Sequence, residues 1–334
     1  MSGLSKNKRP NFLFLFPDEH RGDWMPYNRE VFKKLGMEEL PLRMPNIRRL
    51  MENGVTFGRT VTPSPLCAPA RACLAAGLRY HACKVEGNSM DFPLDRRTFY
   101  QVLRDKGYSV GSVGKLDLHK KTTWWGLDGW TDILGVLGFT AAIDNCGKAG
   151  AIKSGVEEPK DPYMKYLHDT GLVDMHVRDM KERMPRFNKT KSKHEIRMNA
   201  SPTELPEEAY CDNWITNNGI NMLRNFSSDC PWFMIVNFCG PHPPWDVTRR
   251  MKEEWQDVKF PAPNAWDAGS ADEINAVRQN YAAMLDNIDR NIGMLIDEVH
   301  RRGELENTII IYASDHGEML GDFNKFGKRY PERG

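Results

Sequence analysis

The stretch from Asn11 to Arg21, NFLFLFPDEHR, joins an apolar run directly to a group of charged and polar residues. Residues 12–16 are all apolar, and a short continuous run of this kind is consistent with a strand buried on both faces. Such strands are typical of parallel sheets that helices cover on both sides. Because ligands of open α/β sheets bind beyond the carboxyl ends of the strands, the polar residues after this run are expected to belong to a functional site.

Three further runs have the character of buried strands: Tyr108–Val113, Trp232–Phe238 and Thr308–Ala313. Helical patterns lie between the runs, and the first two end at a glycine, as helices often do: Pro45–Asn53, Thr98–Lys106 and Ala271–Arg302. The apolar residues of the longest pattern recur with a helical period, which we interpret as core. Strands that alternate with helices predict an α/β fold with a large mixed, mostly parallel sheet sandwiched by helices.

The composition is typical of a soluble globular protein, with 40% hydrophobic and 27% charged residues among 334. The 46 Lys and Arg nearly balance the 45 Asp and Glu, which argues against a nucleic-acid or membrane partner.

No apolar stretch approaches the roughly 20 residues that span a bilayer. The run at residues 11–16 is too short for the core of a signal peptide, and no small-residue cleavage site follows it. We therefore expect a cytoplasmic protein.

The seven cysteines are scattered along the chain, and no two form a CxxC pair. An odd number without paired spacing argues against a disulfide framework and against a structural zinc site. A reducing compartment is therefore expected.

Polar residues follow all four predicted strands, in the segments PDEHR (17–21), GKLDLH (114–119), CGPHPPW (239–245) and SDHGE (314–318). One such segment alone is more often a turn or a helix cap. Four of them at one sheet edge indicate a binding or catalytic site. Asp18, Asp315 and His316 would repel and desolvate one another unless a cation lay between them. Oxygen ligands with one nitrogen suit Ca²⁺, Mg²⁺ or Mn²⁺.

Cys67 lies in the run Cys67-Ala68-Pro69-Ala70-Arg71. The simplest interpretation is a small buried hydrophobic residue at a turn that enters a helix. However, Pro69 stands where a first-turn proline belongs, so Cys67 would lie at a helix N-terminus, which favours anions. Arg71, one turn on, carries a guanidinium group suited to tetrahedral oxyanions. From the residues alone both interpretations stay open.

The Cys-x-Pro-x-Arg run resembles the signature of the sulfatase family, in which the cysteine is oxidised to formylglycine after translation. The other motifs occur in the family's order from Asn11 to Lys328. The resemblance implies the alkaline-phosphatase-like α/β fold. His316, where many arylsulfatases have Asn, and Asn88 make the pattern most similar to choline sulfatases and phosphonate monoester hydrolases.

The resemblance also implies roles for individual residues. It assigns the metal to Asp18, Asp315, His316 and modified Cys67, with Glu19 as a weaker candidate because many relatives have Asp-Asp there. It assigns catalysis to Cys67, Arg71, Lys115, His242 and Lys328, and contact with the substrate to Asn88. The usual Gly-Lys-x-His motif is Gly114-Lys115-Leu116-Asp117 in this chain. Asp117 is therefore a candidate substrate contact. His119 is another candidate substrate contact, because it would replace the missing imidazole if the strand continues.

The sequence thus predicts, through this resemblance, a metal-dependent sulfuric ester hydrolase that uses a formylglycine nucleophile. Ca²⁺ is favoured, with Mn²⁺ or Mg²⁺ as alternatives. The expected partners are a small-molecule sulfate ester, such as a sulfated sugar or an aryl or choline sulfate, and a formylglycine-generating maturation enzyme. Two alternatives remain: a phosphonate monoester or phosphodiester hydrolase with the same site, and an inactive, truncated sulfatase-like protein.

For domain organisation, residues 1–334 are expected to form the N-terminal catalytic domain of a sulfatase. A loop-rich insertion is predicted at about residues 120–206. The small C-terminal subdomain that family members carry is expected to be absent.

Overall fold

The computed structural model describes residues 9–122, 124–185 and 188–328. Within these residues five strands form one sheet: β1 (Asn11–Asp18), β2 (Ser109–Gly114), β3 (Ala141–Asp144), β4 (Trp232–Pro241) and β5 (Thr308–Tyr312). Their order across the sheet is β3-β2-β4-β1-β5, and all four neighbouring pairs are parallel. The predicted parallel α/β fold is confirmed, while the described strands contain no antiparallel member that would make the sheet mixed.

Thirteen α-helices surround the sheet in the described part of the chain. They are α1 (Arg29–Leu35), α2 (Pro45–Glu52), α3 (Cys67–Ala76), α4 (Tyr80–Cys83), α5 (Phe99–Asp105), α6 (Asp132–Leu137), α7 (Lys148–Ser154), α8 (Pro162–Asp169), α9 (Val173–Arg183), α10 (Lys193–Arg197), α11 (Cys211–Asn225), α12 (Arg249–Trp255) and α13 (Ala271–Arg301). Short 3₁₀ turns lie at Glu207–Ala209, Leu305–Asn307 and Asp322–Asn324. No described helix combines the length and the apolar character needed to cross a membrane.

The sheet has an apolar layer on each face. Met234 and Ile235 are neighbours on β4, so their side chains point to opposite faces, and they belong to two different core clusters. The cluster of Met234 includes Tyr281 and Ile288 of α13, whose apolar stripe is therefore core, as predicted. The cluster of Ile235 includes Ala72 of α3. Helices thus cover both faces, which leaves the ends of the strands for polar residues.

The three predicted helices form within one or two residues of the expected bounds, and local capping explains two of them. Thr98 before α5 and Ser270 before α13 each begin a capping box, in which the cap and the third helical residue satisfy each other's backbone N–H groups. These caps fix the residues at which the two helices begin.

Residues 120–206 differ from the loop-rich insertion that the sequence predicted. They contain β3, which pairs with β2 in the central sheet, and helices α6 to α10. β3 escaped prediction because it has only four residues, Ala-Ala-Ile-Asp, too few for a periodic apolar pattern to be recognised.

Candidate active site at the carboxyl ends of the strands

The ends of β1 and β5 are joined by side chains that bring two polar segments together. The hydroxyl of Ser314 donates to the carbonyl oxygen of Pro17 at 3.1 Å and accepts from the amide of His20 at 2.9 Å. The backbone N–H of Glu19 donates to Oδ1 of Asp315 at 3.0 Å. The parallel neighbours β1 and β5 therefore bring Asp18 and Asp315 to the same sheet edge, as the sequence predicted.

Cys67 is the first residue of α3 and is fully buried. Its Sγ lies 3.2 Å from Nε2 of His316, 3.5 Å from Oδ1 of Asp18 and 2.6 Å from Nζ of Lys328. Burial and Asp18 raise the pKa of this thiol, but the nearby cations, Lys115 first and then Lys328, lower it to about 5. The side chain of residue 67 thus lies where anionic and cationic groups meet.

Four side chains form a group that could hold a metal ion. The ligand atoms of Asp18, Cys67, Asp315 and His316 all lie within 4.8 Å of one another, and all four residues are buried. Nδ1 of His316 faces the carbonyl oxygen of Gly317 at 3.1 Å; if Nδ1 carries the proton, Nε2 is free to bind a metal. Two buried carboxylates with an available imidazole fit a divalent cation such as Ca²⁺ or Mn²⁺. The structure therefore brings together the metal set that the resemblance implied, except for Glu19.

The guanidinium of Arg71 bridges the two carboxylates of this group. Its Nε donates to Oδ2 of Asp315 at 2.9 Å, and its Nη2 lies 3.5 Å from Oδ2 of Asp18. Its Nη1 donates to the carbonyl oxygen of Lys115 at 2.8 Å and to Oδ1 of Asn237 at 2.9 Å. The guanidinium thus orients the carboxylates. Asn237 was missed by sequence reasoning, although a polar residue inside the apolar run of β4 was a usable signal.

Lys115 and Asp117 form a chain of charges that leads outward from Asp18. The ammonium of Lys115 donates to Oδ2 of Asp18 and lies 3.8 Å from Sγ of Cys67. Oδ2 of Asp117 lies 3.2 Å from the same ammonium and also accepts from Lys120. These two cations hold the pKa of Asp117 well below its usual value, against the effect of burial. Asp117 is therefore at the site but is already paired with lysines.

The side-chain hydrogen bonds of His119 are with Asp144 and Thr122 rather than with Cys67. β2 ends at Gly114, and Asp117 turns the backbone at a φ of 59°, so the strand does not continue as the prediction for His119 required. Nε2 of His119 instead bonds Oδ2 of Asp144 at 2.7 Å, and its Nδ1 faces Oγ1 of Thr122 at 2.9 Å. Asp144 ends the unpredicted strand β3, so no sequence signal indicated this pairing.

Glu19, His242 and Lys328 lie close together beside Cys67 and Asp18. Oε2 of Glu19 lies 3.2 Å from Nζ of Lys328 and 3.3 Å from Nε2 of His242. Its Oε1 is buried and has no hydrogen-bond partner among the described residues. Burial, with a contribution from Glu318, raises the pKa of Glu19 to about 8. Glu19 thus belongs to a second group, with Asp18 and His242, rather than to the four-residue metal group.

Asn88 lies at the N-terminus of α3. Its Oδ1 accepts a hydrogen bond from the backbone N–H of Ala68 at 3.0 Å. It also lines an open cavity of about 760 Å³, together with Tyr80 and residues 63–66 and 86–89. Leu66 precedes residue 67 and Asn88 bonds the N–H of Ala68, so the cavity lies near residue 67, which does not itself line it. Its volume is in the range of sites for small organic molecules.

Comparison with known proteins covers nearly the whole chain. The family model described as Sulfatase matches residues 10–333. An arylsulfatase of Clostridium perfringens is 25% identical over 354 residues, which covers 98% of this chain and 66% of that protein. A choline-sulfatase of Rhizobium meliloti is 23% identical over 346 residues, which covers 94% of this chain and 58% of that protein.

Among solved structures, the phosphonate monoester hydrolase of Agrobacterium radiobacter superposes with a TM-score of 0.69 at 20% identity. The match covers 96% of this chain and 65% of that one. The fold is therefore shared, as the resemblance implied. The chain spans between 58% and 66% of the length of these three proteins.

Proposed function

Because the chain belongs to the sulfatase family, we propose that it hydrolyses sulfate esters with a formylglycine nucleophile derived from Cys67. The observation that carries this proposal is the position of the Cys67 side chain. Its Sγ has Asp18 and His316 within 3.5 Å and the Lys328 ammonium at 2.6 Å. A nucleophile at this point would meet the negative charge of a sulfate group with cations already in place.

In the proposed reaction, a formylglycine-generating enzyme first oxidises the Cys67 side chain by two electrons, with an external oxidant such as dioxygen as electron acceptor, and the sulfur leaves as the aldehyde forms. The aldehyde adds water to give two hydroxyl groups on one carbon. One hydroxyl gives up its proton and its oxygen bonds to the ester sulfur, while the bond from sulfur to the alcohol oxygen breaks and that oxygen takes up a proton. The second hydroxyl then loses its proton to water, the C=O bond forms again, the bond from carbon to the sulfate oxygen breaks and sulfate leaves. A thiol has no second hydroxyl, so it would stop at a thiosulfate link.

The residues of the proposed metal site are Asp18, Asp315, His316 and modified residue 67. A divalent cation, with Ca²⁺ favoured over Mn²⁺ or Mg²⁺, would neutralise sulfate oxygens and lower the pKa of the attacking hydroxyl when bound. Glu19 is left out of this set because its carboxylate faces Lys328 and His242.

The remaining charged residues have distinct proposed roles. Arg71 orients Asp18 and Asp315 through its hydrogen bonds. Lys115 and Lys328 stabilise the attacking oxygen and the sulfate charge. His242, whose side chain is 31% exposed, is proposed to bind a sulfate oxygen or to protonate the departing alcohol oxygen.

The substrate is proposed to be a small sulfate ester, such as a sulfated sugar or an aryl or choline sulfate. The cavity beside residue 67 supports this, because Asn88, Glu86 and Ser89 offer hydrogen-bonding groups and Tyr80 offers an aromatic ring. The names of the relatives from C. perfringens and R. meliloti agree with this class.

Mass spectrometry of the peptide that contains residue 67 tests the proposal. Protein from a host competent for this maturation should carry the aldehyde in place of the thiol, and it should turn over an aryl sulfate. Cys67→Ala should abolish turnover, by about 10³-fold or more, while Cys73→Ala, a buried cysteine of the same helix, should retain it. Unmodified cysteine throughout, or turnover that survives Cys67→Ala, would contradict the proposal. Absence of turnover in the matured protein would favour an inactive sulfatase-like protein.

A second candidate activity is hydrolysis of phosphonate monoesters or phosphodiesters by the same residues. It is favoured by His316 in the metal group, a residue type that the resemblance associates with phosphonate monoester hydrolases. Both substrate classes present tetrahedral anions that the same cations can bind. Parallel assays of an aryl sulfate and an aryl phosphonate ester, compared by kcat/KM, would distinguish the two activities.

A further inference from the structure

We infer that Glu318 is a positioning residue that holds the loop of residues 319–327 and thereby keeps the Lys328 ammonium against residue 67. The inference rests on the role proposed above for Lys328. Glu318 follows the metal ligands Asp315 and His316 in the chain, but it is in neither group of potential metal ligands. Its carboxylate therefore requires another explanation.

The carboxylate of Glu318 joins the two ends of this loop. It is fully buried, and its Oε1 accepts hydrogen bonds from the backbone N–H of Leu320, at 3.0 Å, and from that of Gly327. The N–H of Met319 donates to the carbonyl oxygen of Gly327 at 3.2 Å. The chain thus returns to Glu318 one residue before Lys328.

The backbone of the loop does not favour this shape by itself. Leu320, Phe323 and Asn324 have φ values of 49°, 54° and 58°, in the left-handed region that costs free energy for residues other than glycine. A loop with three such residues persists only where surrounding contacts hold it. Glu318 supplies two of these contacts with one oxygen atom.

Other contacts hold a different part of the loop. Arg21 donates to the carbonyl oxygen of Met319 at 2.8 Å and pairs with Asp322 at 2.8 Å. These bonds hold the first half, whereas the two bonds of Gly327, to the Glu318 carboxylate and to the N–H of Met319, hold the end that carries Lys328. Since Nζ of Lys328 lies 2.6 Å from Sγ of Cys67, a small movement of Gly327 changes the position of the ammonium at the reacting atoms.

The second oxygen of Glu318 strengthens the inference. Oε2 is buried and has no hydrogen-bond partner among the described residues. A buried, unsatisfied oxygen is unfavourable, so a carboxylate here costs stability that an apolar side chain would not. The two N–H groups at Oε1 are the gain that offsets this cost.

The test uses matured protein with Glu318→Met, which keeps the length of the side chain and removes both oxygens, and Glu318→Gln, which keeps one carbonyl oxygen for the two N–H groups. We expect Glu318→Met to lower kcat by about 10²-fold, the effect of misplacing a group by about 1 Å, and Glu318→Gln to retain most of it. Amide hydrogen exchange in residues 319–328 should be faster in Glu318→Met only. Ca²⁺ affinity should be unchanged in both.

A double-mutant cycle with Lys328→Ala separates positioning from a general structural role. If Glu318 acts through Lys328, Glu318→Met should cause little further loss of kcat in the Lys328→Ala protein. An equal loss in both backgrounds, a loss of Ca²⁺ affinity, or unchanged exchange in residues 319–328 would overturn the inference.

The same experiments separate this inference from the proposed function. Hydrogen exchange does not require turnover, so it reports on the loop even if no ester is hydrolysed. Wild-type kcat in Lys328→Ala would overturn the role proposed for Lys328, and the positioning role of Glu318 would fall with it.

Discussion

The Nε atom of Arg71 donates a hydrogen bond to Oδ2 of Asp315 over 2.9 Å, and both side chains are almost fully buried. The guanidinium also reaches Asp18, Asn237 and the carbonyl oxygen of Lys115. It therefore links residues on or just after four strands: Asp18 of β1, Lys115 after β2, Asn237 of β4 and Asp315 after β5. A planar group with five N–H donors suits this arrangement, whereas a lysine ammonium does not.

Arg71→Lys should therefore impair the site although the charge is kept. We expect kcat/KM to fall by about 10²-fold and the free energy of unfolding to fall by about 2 kcal/mol, since buried acceptors lose their donors. Steady-state kinetics and urea unfolding measure the two effects.

Arg183→Lys is the matched control, because Arg183 is a buried guanidinium bound to Asp179 and to backbone carbonyls in another region. It should lower stability and leave kcat unchanged; equal kinetic losses in both variants would contradict this role of Arg71.

Ca²⁺ should stabilise the protein against heat, because it neutralises the buried carboxylates of Asp18 and Asp315. At 100 times the dissociation constant the expected gain is about 2.7 kcal/mol, from linkage of binding to folding. Differential scanning fluorimetry with added Ca²⁺, and with a chelator, measures the shift in Tm.

Asp315→Asn should abolish most of the Ca²⁺-dependent shift. Asp289→Asn is the control, because Asp289 is a buried carboxylate that accepts from the N–H groups of Asn46 and Ile47. That variant should have a lower Tm but the same Ca²⁺ response. A full Ca²⁺ shift in Asp315→Asn would remove this residue from the metal site.

His119 should affect stability through its pairing with Asp144. Burial lowers the pKa of His119, but the hydrogen bond and charge of Asp144, with Asp91 and Asp117 nearby, raise it above 6.5 overall. Because the folded state holds the proton more tightly than the unfolded chain, the ion pair stabilises the protein fully below the unfolded pKa. This stabilisation is lost as the pH rises through the higher folded pKa.

Urea unfolding of the wild type and of His119→Gln, on both sides of the unfolded pKa of about 6.5, tests this sign. The stability advantage of the wild type should shrink as the pH rises. KM for the sulfate ester should change little, because His119 bonds Asp144 and Thr122. A large rise in KM without loss of stability would instead support the original expectation that His119 contacts the substrate.

Asp161 should make the protein less stable as the pH rises, whereas a carboxylate with a lowered pKa makes a protein more stable. It caps α8 and is fully buried, and burial raises its pKa from 3.8 to about 6 despite hydrogen bonds from the N–H groups of Cys146 and Met164. Between these values the folded state holds a proton that the unfolded chain has released, so its stability should fall as the pH rises. The change is on the order of 3 kcal/mol, from about two pKa units at about 1.4 kcal/mol each.

Asp161→Asn keeps an oxygen for the helix N–H groups but no longer titrates. The free energy of unfolding of the wild type minus that of the variant should therefore decrease from about pH 4 to about pH 6. Chemical unfolding over this range measures the difference. A difference that stays constant or increases would show that burial does not control this carboxyl group.

The sequence alone was sufficient for four of the five strands in the described part of the chain and for the approach of Asp18 to Asp315. A buried parallel strand is a continuous apolar run, and the carboxyl ends of parallel strands share one sheet edge. Residues that directly follow such runs are therefore brought together whatever the loops do. The placement of Cys67 at the start of α3 was also predictable, because Pro69 marks a first helical turn.

The tertiary structure decided which way the neighbouring side chains point. Glu19 and Asp117 adopt φ values of 71° and 59°, which turn them out of the strand alternation, so sequence spacing could not predict their partners. His119 pairs with Asp144 from the short strand β3, and Glu318 bonds an amide nine residues on. Contacts of this kind depend on the path of loops that no local pattern specifies. The sequence thus determined which chemical groups gather at the sheet edge, and the packing of the whole chain determined which of them face residue 67.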